Sequence, residues 1–260
     1  MHSPLAVIHP DAKIGNNVTI DPFAVIEKNV IIGDNCRIYS HTAVLDGARI
    51  GSGCSIFPGA VIAGIPQDLK FAGEDSVVEI GDRTTIRECA TVNRGTASKR
   101  KTVIGNDCLI MAYAHVAHDC VINNNVIIGN ASQLAGEVMV DDFAIISGGS
   151  LVHQFTRISK HVMIQGGSRV GKDIPPYTLI GREPITYCGI NIVGLRRRGF
   201  TDNQVFLIQD IYRTLYTRGL NNTEALHAIE TEYEPCAERD LILNFIKTSQ
   251  RGIVRGSIDD

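Results

Sequence analysis

Residues 104 to 139 read, in blocks of six, IGNDCL IMAYAH VAHDCV INNNVI IGNASQ LAGEVM. Every block opens on Ile, Val or Leu. Four residues later comes a small side chain, as at Cys108, Ala114, Cys120 and Ser132. The same step runs in both directions. Of the 28 positions reached from Ile8 to Val170 in steps of six, 25 carry Ile, Val or Leu, and the exceptions are Asp68, Glu74 and Ser98. A six-residue unit with one aliphatic and one small inward residue is too short for a helix or a strand pair. It suits a short strand plus a turn, stacked into a solenoid. Three units close a triangular coil of 18 residues. The breaks at 68–79 and 98–103 are 12 and 6 residues long, whole multiples of the repeat. They read as loops thrown out of an intact solenoid.

Composition narrows the function. The 260 residues are 44% hydrophobic and 20% charged, the balance of a folded domain large enough for a sizeable core. The net charge of -3, from 25 basic and 28 acidic residues, excludes a whole-molecule basic field for nucleic acid. No apolar run approaches the length of about 20 residues that spans a bilayer, and Met1-His2-Ser3-Pro4 opens no secretory signal. Seven cysteines, an odd number in a long chain, argue against a disulfide scaffold. Cys36, Cys54, Cys108 and Cys120 fall on the small inward position, where packing explains them. The location expected from these features is cytoplasmic.

The period ends after Val170, at Ile174-Pro175-Pro176. Helical spacing then appears in Val205, Ile208, Ile211, Tyr212 and Leu215, introduced by the capping-box pair Thr201 and Gln204. Further helices are expected from near Thr223 and through Leu241 to Ile246. The expected organisation is a solenoid over 1–190, with loops at 68–79 and 98–103, and a helical C-terminal domain over 191–260.

Chemistry concentrates on one outward column. Residues 18 apart stack at roughly 4.8 Å, as neighbouring strands do, so His118, Gly136 and Gln154 line one vertical groove, with His153 and Asp119 beside it. Histidine suits general-base work near neutral pH. A glycine lets its backbone N–H approach a developing oxyanion. These are the parts of an acyl-transfer site. His115, His118 and Cys120 have the look of zinc ligands, but Cys120 faces inward and the histidines outward, so no metal site is expected. Gly166 to Lys172 approximates a phosphate loop, yet Asp173 stands where Ser or Thr belongs and no strand-to-helix turn is due there.

The hexapeptide pattern resembles that of hexapeptide-repeat acyltransferases, and the resemblance implies a left-handed parallel β-helix. The segment Ala114-His115-Val116-Ala117-His118-Asp119-Cys120 is similar to the signature of the acyl-[acyl-carrier-protein]–UDP-N-acetylglucosamine O-acyltransferase family. So, in order along the chain, are Gln67-Asp68-Leu69-Lys70, Arg94-Gly95-Thr96, Leu134-Ala135-Gly136, Val152-His153-Gln154-Phe155, Gly189-Ile190-Asn191 and Gly194-Leu195-Arg196-Arg197-Arg198. The resemblance implies that a 3-hydroxyacyl chain passes from acyl carrier protein, which bears it on phosphopantetheine, to the 3-hydroxyl of UDP-N-acetylglucosamine, the first step of lipid A biosynthesis. His118 is then the base and Gly136 the oxyanion donor. Asp68, Lys70, His115, His153 and Gln154 contact substrate, and Gly166 leaves room for the acyl tail. Asn191, Arg197 and Arg198 serve the nucleotide, the phosphates or the carrier protein. The family implies a homotrimer with sites in clefts between subunits, and no cofactor.

The sequence departs from the family at Asn93 and Glu137, where some members have His, and at Val193, where some have Glu. Gln165 beside Gly166 leaves the acyl length open, as the acceptor is open between UDP-N-acetylglucosamine and its 3-amino analogue. Other readings are the N-acyltransferase of the same pathway, which usually has an extra domain before its repeats, an acetyl-CoA-dependent acetyltransferase, a zinc hydratase such as a carbonic anhydrase, and a non-catalytic scaffold.

Overall fold

The computed structural model describes residues 1–256. Strands of two to four residues recur along the repeat and stack into three parallel sheets, the faces of a triangular prism. Within a face the pairing advances by 18 residues, as in His115↔Gln133 and Val116↔Leu134, then Gln133↔Leu151 and Leu134↔Val152. The aliphatic that opens each unit points into the prism, and Ile38, Ile56, Ile86, Ile110 and Ile128 are wholly buried there.

Most turns share one backbone signature. The third residue after the aliphatic takes a left-handed conformation, as at Asn17, Asn35, Asp107, Asp119, Asn125, Glu137 and Phe155. Such a residue strains the chain by roughly 1–2 kcal/mol unless it is Gly, Asn or Asp, which is why Asn and Asp are frequent there. The next residue faces inward again. Its thiol or hydroxyl donates to a carbonyl one coil on: Cys36 Sγ to Gly51 O, Cys108 Sγ to Asn123 O and Cys120 Sγ to Ala135 O at 3.0 to 3.2 Å, and Ser132 Oγ to Ser147 O at 3.0 Å. The inward cysteines thus fill space and satisfy backbone.

One prism corner is closed by a ladder of side chains. Asp34, Asp82, Asn106, Asn124 and Asp142 each accept from a backbone N–H of the coil below, at Asn16, Ser52, Asp82, Asn106 and Asn124 respectively, at 2.6 to 2.9 Å. The glycine before each of the first four N–H groups is required by close approach. A Cβ on Gly105 would lie 2.7 Å from the carbonyl carbon of Asn123.

The loops leave the prism three and four residues earlier than the period predicts, and each strand resumes three residues earlier. Strands resume at Val77–Ile80 and Lys101–Ile104, so the excursions run over 65–76 and 94–100 instead of 68–79 and 98–103. The residues that resume each strand pair in register with the coils on either side, and the aliphatic count cannot see that.

Beyond the last coil, strands Thr178–Gly181 and Thr186–Ile190 form an antiparallel hairpin on one face. Four helices follow, α1 Ile192–Arg197, α2 Asp202–Thr217, α3 Asn222–Glu232 and α4 Ala237–Lys247. The capping box of Thr201 and Gln204 opens α2, and Val205, Ile208, Ile211, Tyr212 and Leu215 form its buried stripe. The chain then returns to the solenoid. Asp173 N donates to Gly252 O, Val254 N donates to Asp173 O, and Val254 joins the prism core. Residues 252–254 therefore close the open end of the β-helix, and residues 257–260 of the expected C-terminal domain lie outside the described range.

Candidate active site

His118 follows the strand His115–Val116 and occupies a prism corner. In the next residue, Asp119, φ is 60°. That left-handed turn swings the carboxylate back beside the imidazole, with Nδ1 and Asp119 Oδ2 2.8 Å apart. Asp119 is fully buried. It also accepts from the Thr96 hydroxyl at 2.6 Å, the Thr96 N–H at 3.0 Å and the Lys99 N–H at 3.2 Å. Burial alone raises the Asp119 pKa, but the hydrogen bonds from Thr96, His118 and Lys99 outweigh it and hold the carboxyl below its usual range. An ionised carboxylate only accepts, which assigns the proton to His118 Nδ1 and leaves the Nε2 lone pair free.

Gly136 stands one coil above. A Cβ there would lie 2.5 Å from His118 Cε1 and 2.6 Å from Nε2, so only glycine lets the ring rest against the next coil. At the ladder corner the equivalent N–H groups are capped by Asp or Asn. The Gly136 N–H has no acceptor among the described residues. Base and open amide meet in a groove of about 630 Å³ that His115, Gln133, His153, Gln154 and Arg169 also border. The His115 ring is 2.7 Å from the Thr91 hydroxyl through Nδ1. Burial, then the charge of His118, lowers its pKa and favours a neutral ring. His153 is exposed, with Nδ1 3.0 Å from the Gln154 carbonyl oxygen.

On its other side His118 borders a pocket of about 220 Å³ shared with Asp68, Lys70, Glu74, Glu137 and Gln154. The 65–76 loop folds back over the corner and brings Asp68 Oδ2 to 3.9 Å from His118 Nε2. Of the residues expected from the sequence, Asp68, Lys70, His115, His118, Gly136, His153 and Gln154 thus gather at one corner. Gly166 lies at the far end of the same face, where the chain enters the Arg169–Val170 strand, and borders neither pocket. Asn191, Arg197 and Arg198 also lie outside both pockets. Asn191 caps α1 by accepting from Gly194 N and ties it to the solenoid by donating to His161 O. Arg197 is exposed, and the Arg198 guanidinium stacks 4.7 Å over the Phe143 ring.

The departures from the family pattern have local explanations. Asn93 Nδ2 donates to Ile65 O and anchors the base of the 65–76 loop. Glu137 binds the 94–100 loop through Ser98 and Lys99. Val193 is exposed on α1. The Gln165 side chain lies over Gly181. The zinc arrangement is not formed: Cys120 donates inward to Ala135 O, burial pushes its thiol up to about 12, and no cluster of metal-binding side chains occurs among the described residues. The roles of Asp119, Thr96 and Lys99 were not legible as a site, although the loop carrying the last two leaves the prism at the His118 corner, one coil below.

A hexapeptide solenoid with a carboxylate-oriented histidine beside an open backbone amide defines a hexapeptide-repeat acyltransferase, of the left-handed parallel β-helix class. Residues 173–254 match the second-domain family model of UDP-N-acetylglucosamine O-acyltransferase, and 11–46, 29–64 and 101–136 match the bacterial transferase hexapeptide model. The acyl-[acyl-carrier-protein]–UDP-N-acetylglucosamine O-acyltransferase of Chlorobaculum parvum is 59% identical over 96% of this chain and 95% of its own. The crystal structure of a UDP-N-acetylglucosamine acyltransferase from Bacteroides fragilis superposes with a TM-score of 0.97, at 55% identity, over 98% of this chain and 100% of that one. The Arabidopsis enzyme gives 0.86 at 32% identity, over 98% and 100%. The chain belongs to the acyl-[acyl-carrier-protein]–UDP-N-acetylglucosamine O-acyltransferase family.

Proposed function

We propose that His118 and the Gly136 amide carry out the reaction of this family, acyl transfer from acyl carrier protein to UDP-N-acetylglucosamine in lipid A biosynthesis. The observation that carries the assignment is the His118 ring, oriented by Asp119 at 2.8 Å and resting against a glycine, Gly136, whose N–H is left open among the described residues. Neutral Nε2 takes the proton of the sugar 3-hydroxyl as that oxygen attacks the thioester carbon. Asp119 steadies the imidazolium, and the Gly136 N–H donates to the oxyanion. As the tetrahedral intermediate collapses, the C–S bond breaks and the pantetheine sulfur receives the proton from Nε2. The chemistry calls on no cofactor. Asp68, 3.9 Å from Nε2, and Lys70 beside it hold the sugar, while His115, His153 and Gln154 line its approach.

The active form is a homotrimer. Gly166, Asn191, Arg197 and Arg198 lie away from the His118 corner of their own chain, and a neighbouring copy would supply them to a shared cleft. Seven free thiols support a reducing compartment, the cytoplasm, as the site of the reaction. The test is mass spectrometry of UDP-N-acetylglucosamine incubated with the protein and a series of 3-hydroxyacyl carrier proteins. One O-acylated sugar nucleotide, lost in His118→Ala, is the expected result. Product from acetyl-CoA alone would overturn it.

A further inference from the structure

Glu137 stands 18 residues after Asp119, in the same left-handed turn position one coil higher, with φ values of 61° and 60°. Both acidic side chains reach the same loop. Asp119 takes the Thr96 hydroxyl and the Thr96 and Lys99 N–H groups. Glu137 Oε1 accepts from the Ser98 hydroxyl at 3.0 Å, and its Oε2 is 3.5 Å from Lys99 Nζ. Lys99 closes the figure, because its ammonium also donates to the Asp119 carbonyl oxygen at 3.3 Å. The loop over 94–100 is therefore held by two carboxylates on consecutive coils, and the groups between those two anchors are the ones that solvate Asp119.

We infer that Glu137 is a positioning residue: it clamps the 94–100 loop so that Thr96 and Lys99 hold Asp119 aimed at His118. The inference rests on the acyl-transfer reading only for the kinetic part of its test. Several further charges face the assembly. Asp68 approaches His118 Nε2 at 3.9 Å. His115 faces His118 from the preceding strand. Lys70 and Glu74 line the small pocket that His118 and Glu137 share. Glu74 also reaches the loop, at the Ala97 backbone, but Glu137 is the one of these that holds Ser98 and the Lys99 ammonium. The Glu137 side chain is only 18% exposed, which suits a fixed strut better than a free surface charge.

Two readouts on the full-length protein separate this role from substrate contact. The first is the ¹⁵N and ¹H signature of the His118 ring, assigned by its loss in His118→Ala. The native protein is expected to show the Nδ1–H tautomer with a hydrogen-bonded, slowly exchanging N–H. In Glu137→Ala that proton exchanges rapidly and the tautomers mix. Ser98→Ala, a milder change that removes one hydroxyl, moves the ring signals the same way. Glu137→Gln, which keeps an acceptor for Ser98, restores most of the native signature. The second readout is the split between kcat and KM. In Glu137→Ala kcat falls about tenfold, the scale on which supporting groups behind a reacting residue act, while KM for UDP-N-acetylglucosamine stays within about twofold of native. An unchanged His118 signature in both Glu137→Ala and Ser98→Ala overturns the inference. So does a raised KM at constant kcat, which makes Glu137 a substrate contact. The ring signature needs no substrate, so it reads the clamp even if the acceptor sugar proves to be another.

Discussion

His118 and Asp119 are consecutive residues, and consecutive side chains of an extended chain point to opposite faces. Their contact exists only because φ at Asp119 is 60°. The pair behaves as one unit, and its variants are expected to differ by mechanism. His118→Ala removes the proposed base and is expected to lower kcat by about 10²–10⁴-fold, with melting unchanged. Asp119→Asn keeps the shape but can donate to Nδ1 and favour the wrong tautomer, so kcat falls by about 10²-fold or more. Steady-state kinetics on the two proteins checks both. The lowered pKa of Asp119 fixes a sign as well. Its ionised form contributes stability that is complete above the ordinary aspartate value of 3.8 and is lost only as pH falls through its still lower folded value. Asp119 thus stays charged at every pH above 3.8, and it is expected to add no proton of its own to the acid limb of kcat/KM there. A slope of two would show that Asp119 titrates with the base. Gly136→Ala is expected to abolish turnover in folded protein, because its Cβ would occupy the space of the His118 ring.

Each coil is an element of three short strands and three turns, and its stability has two different sources. The inward aliphatics of the central coils are buried, so Ile110→Ala, at 0% exposure, is expected to cost about 2–5 kcal/mol in denaturant unfolding. The corner glycines are governed by close approach. Gly105→Ala is expected to destabilise by about 1–3 kcal/mol, because the added carbon meets backbone of the next coil. Where the coils meet the helices, His161 stacks between Phe143 and Tyr177 and meets the edge of Phe200. Burial, then the charges of Arg198 and Lys160, lowers its pKa to about 4. The folded ring resists a proton that the unfolded chain accepts from its ordinary value of 6.5 downward. Stability from this site is therefore present above 6.5 and declines between 6.5 and about 4. His161→Phe keeps a stacked ring without the titration, and its melting temperature is expected to depend less on pH across that window.

At the scale of the whole molecule, the proposed division of the site between copies can be tested by complementation. His118→Ala and Arg198→Ala are each expected to be poorly active. Mixed, denatured and refolded together, they should regain activity, because some mixed trimers hold an intact cleft. Light scattering should give three times 28.3 kDa. A monomer, or no recovery on mixing, would rule out the shared site. The period of six made the solenoid, its coil length and the His118–Gly136–Gln154 column legible, because in a stacked coil sequence distance converts directly into position. It also held an unused signal: both loops leave at the corner of that column, which marks the site by where the repeat is interrupted. The period could not reveal what those loops do on returning. Asp68 beside His118, Thr96 on Asp119 and Ser98 on Glu137 join residues 23 to 50 apart in sequence, through segments with no repeat. Nor could it show that 252–254 returns to close the β-helix. The sequence by itself determined the scaffold and the outward position of His118, the proposed base, since both follow from a local repeating pattern of burial. Only the tertiary structure decided the tautomer of that base, the open amide beside it and the clamp behind it, since each depends on hydrogen bonds between segments brought together by folding alone.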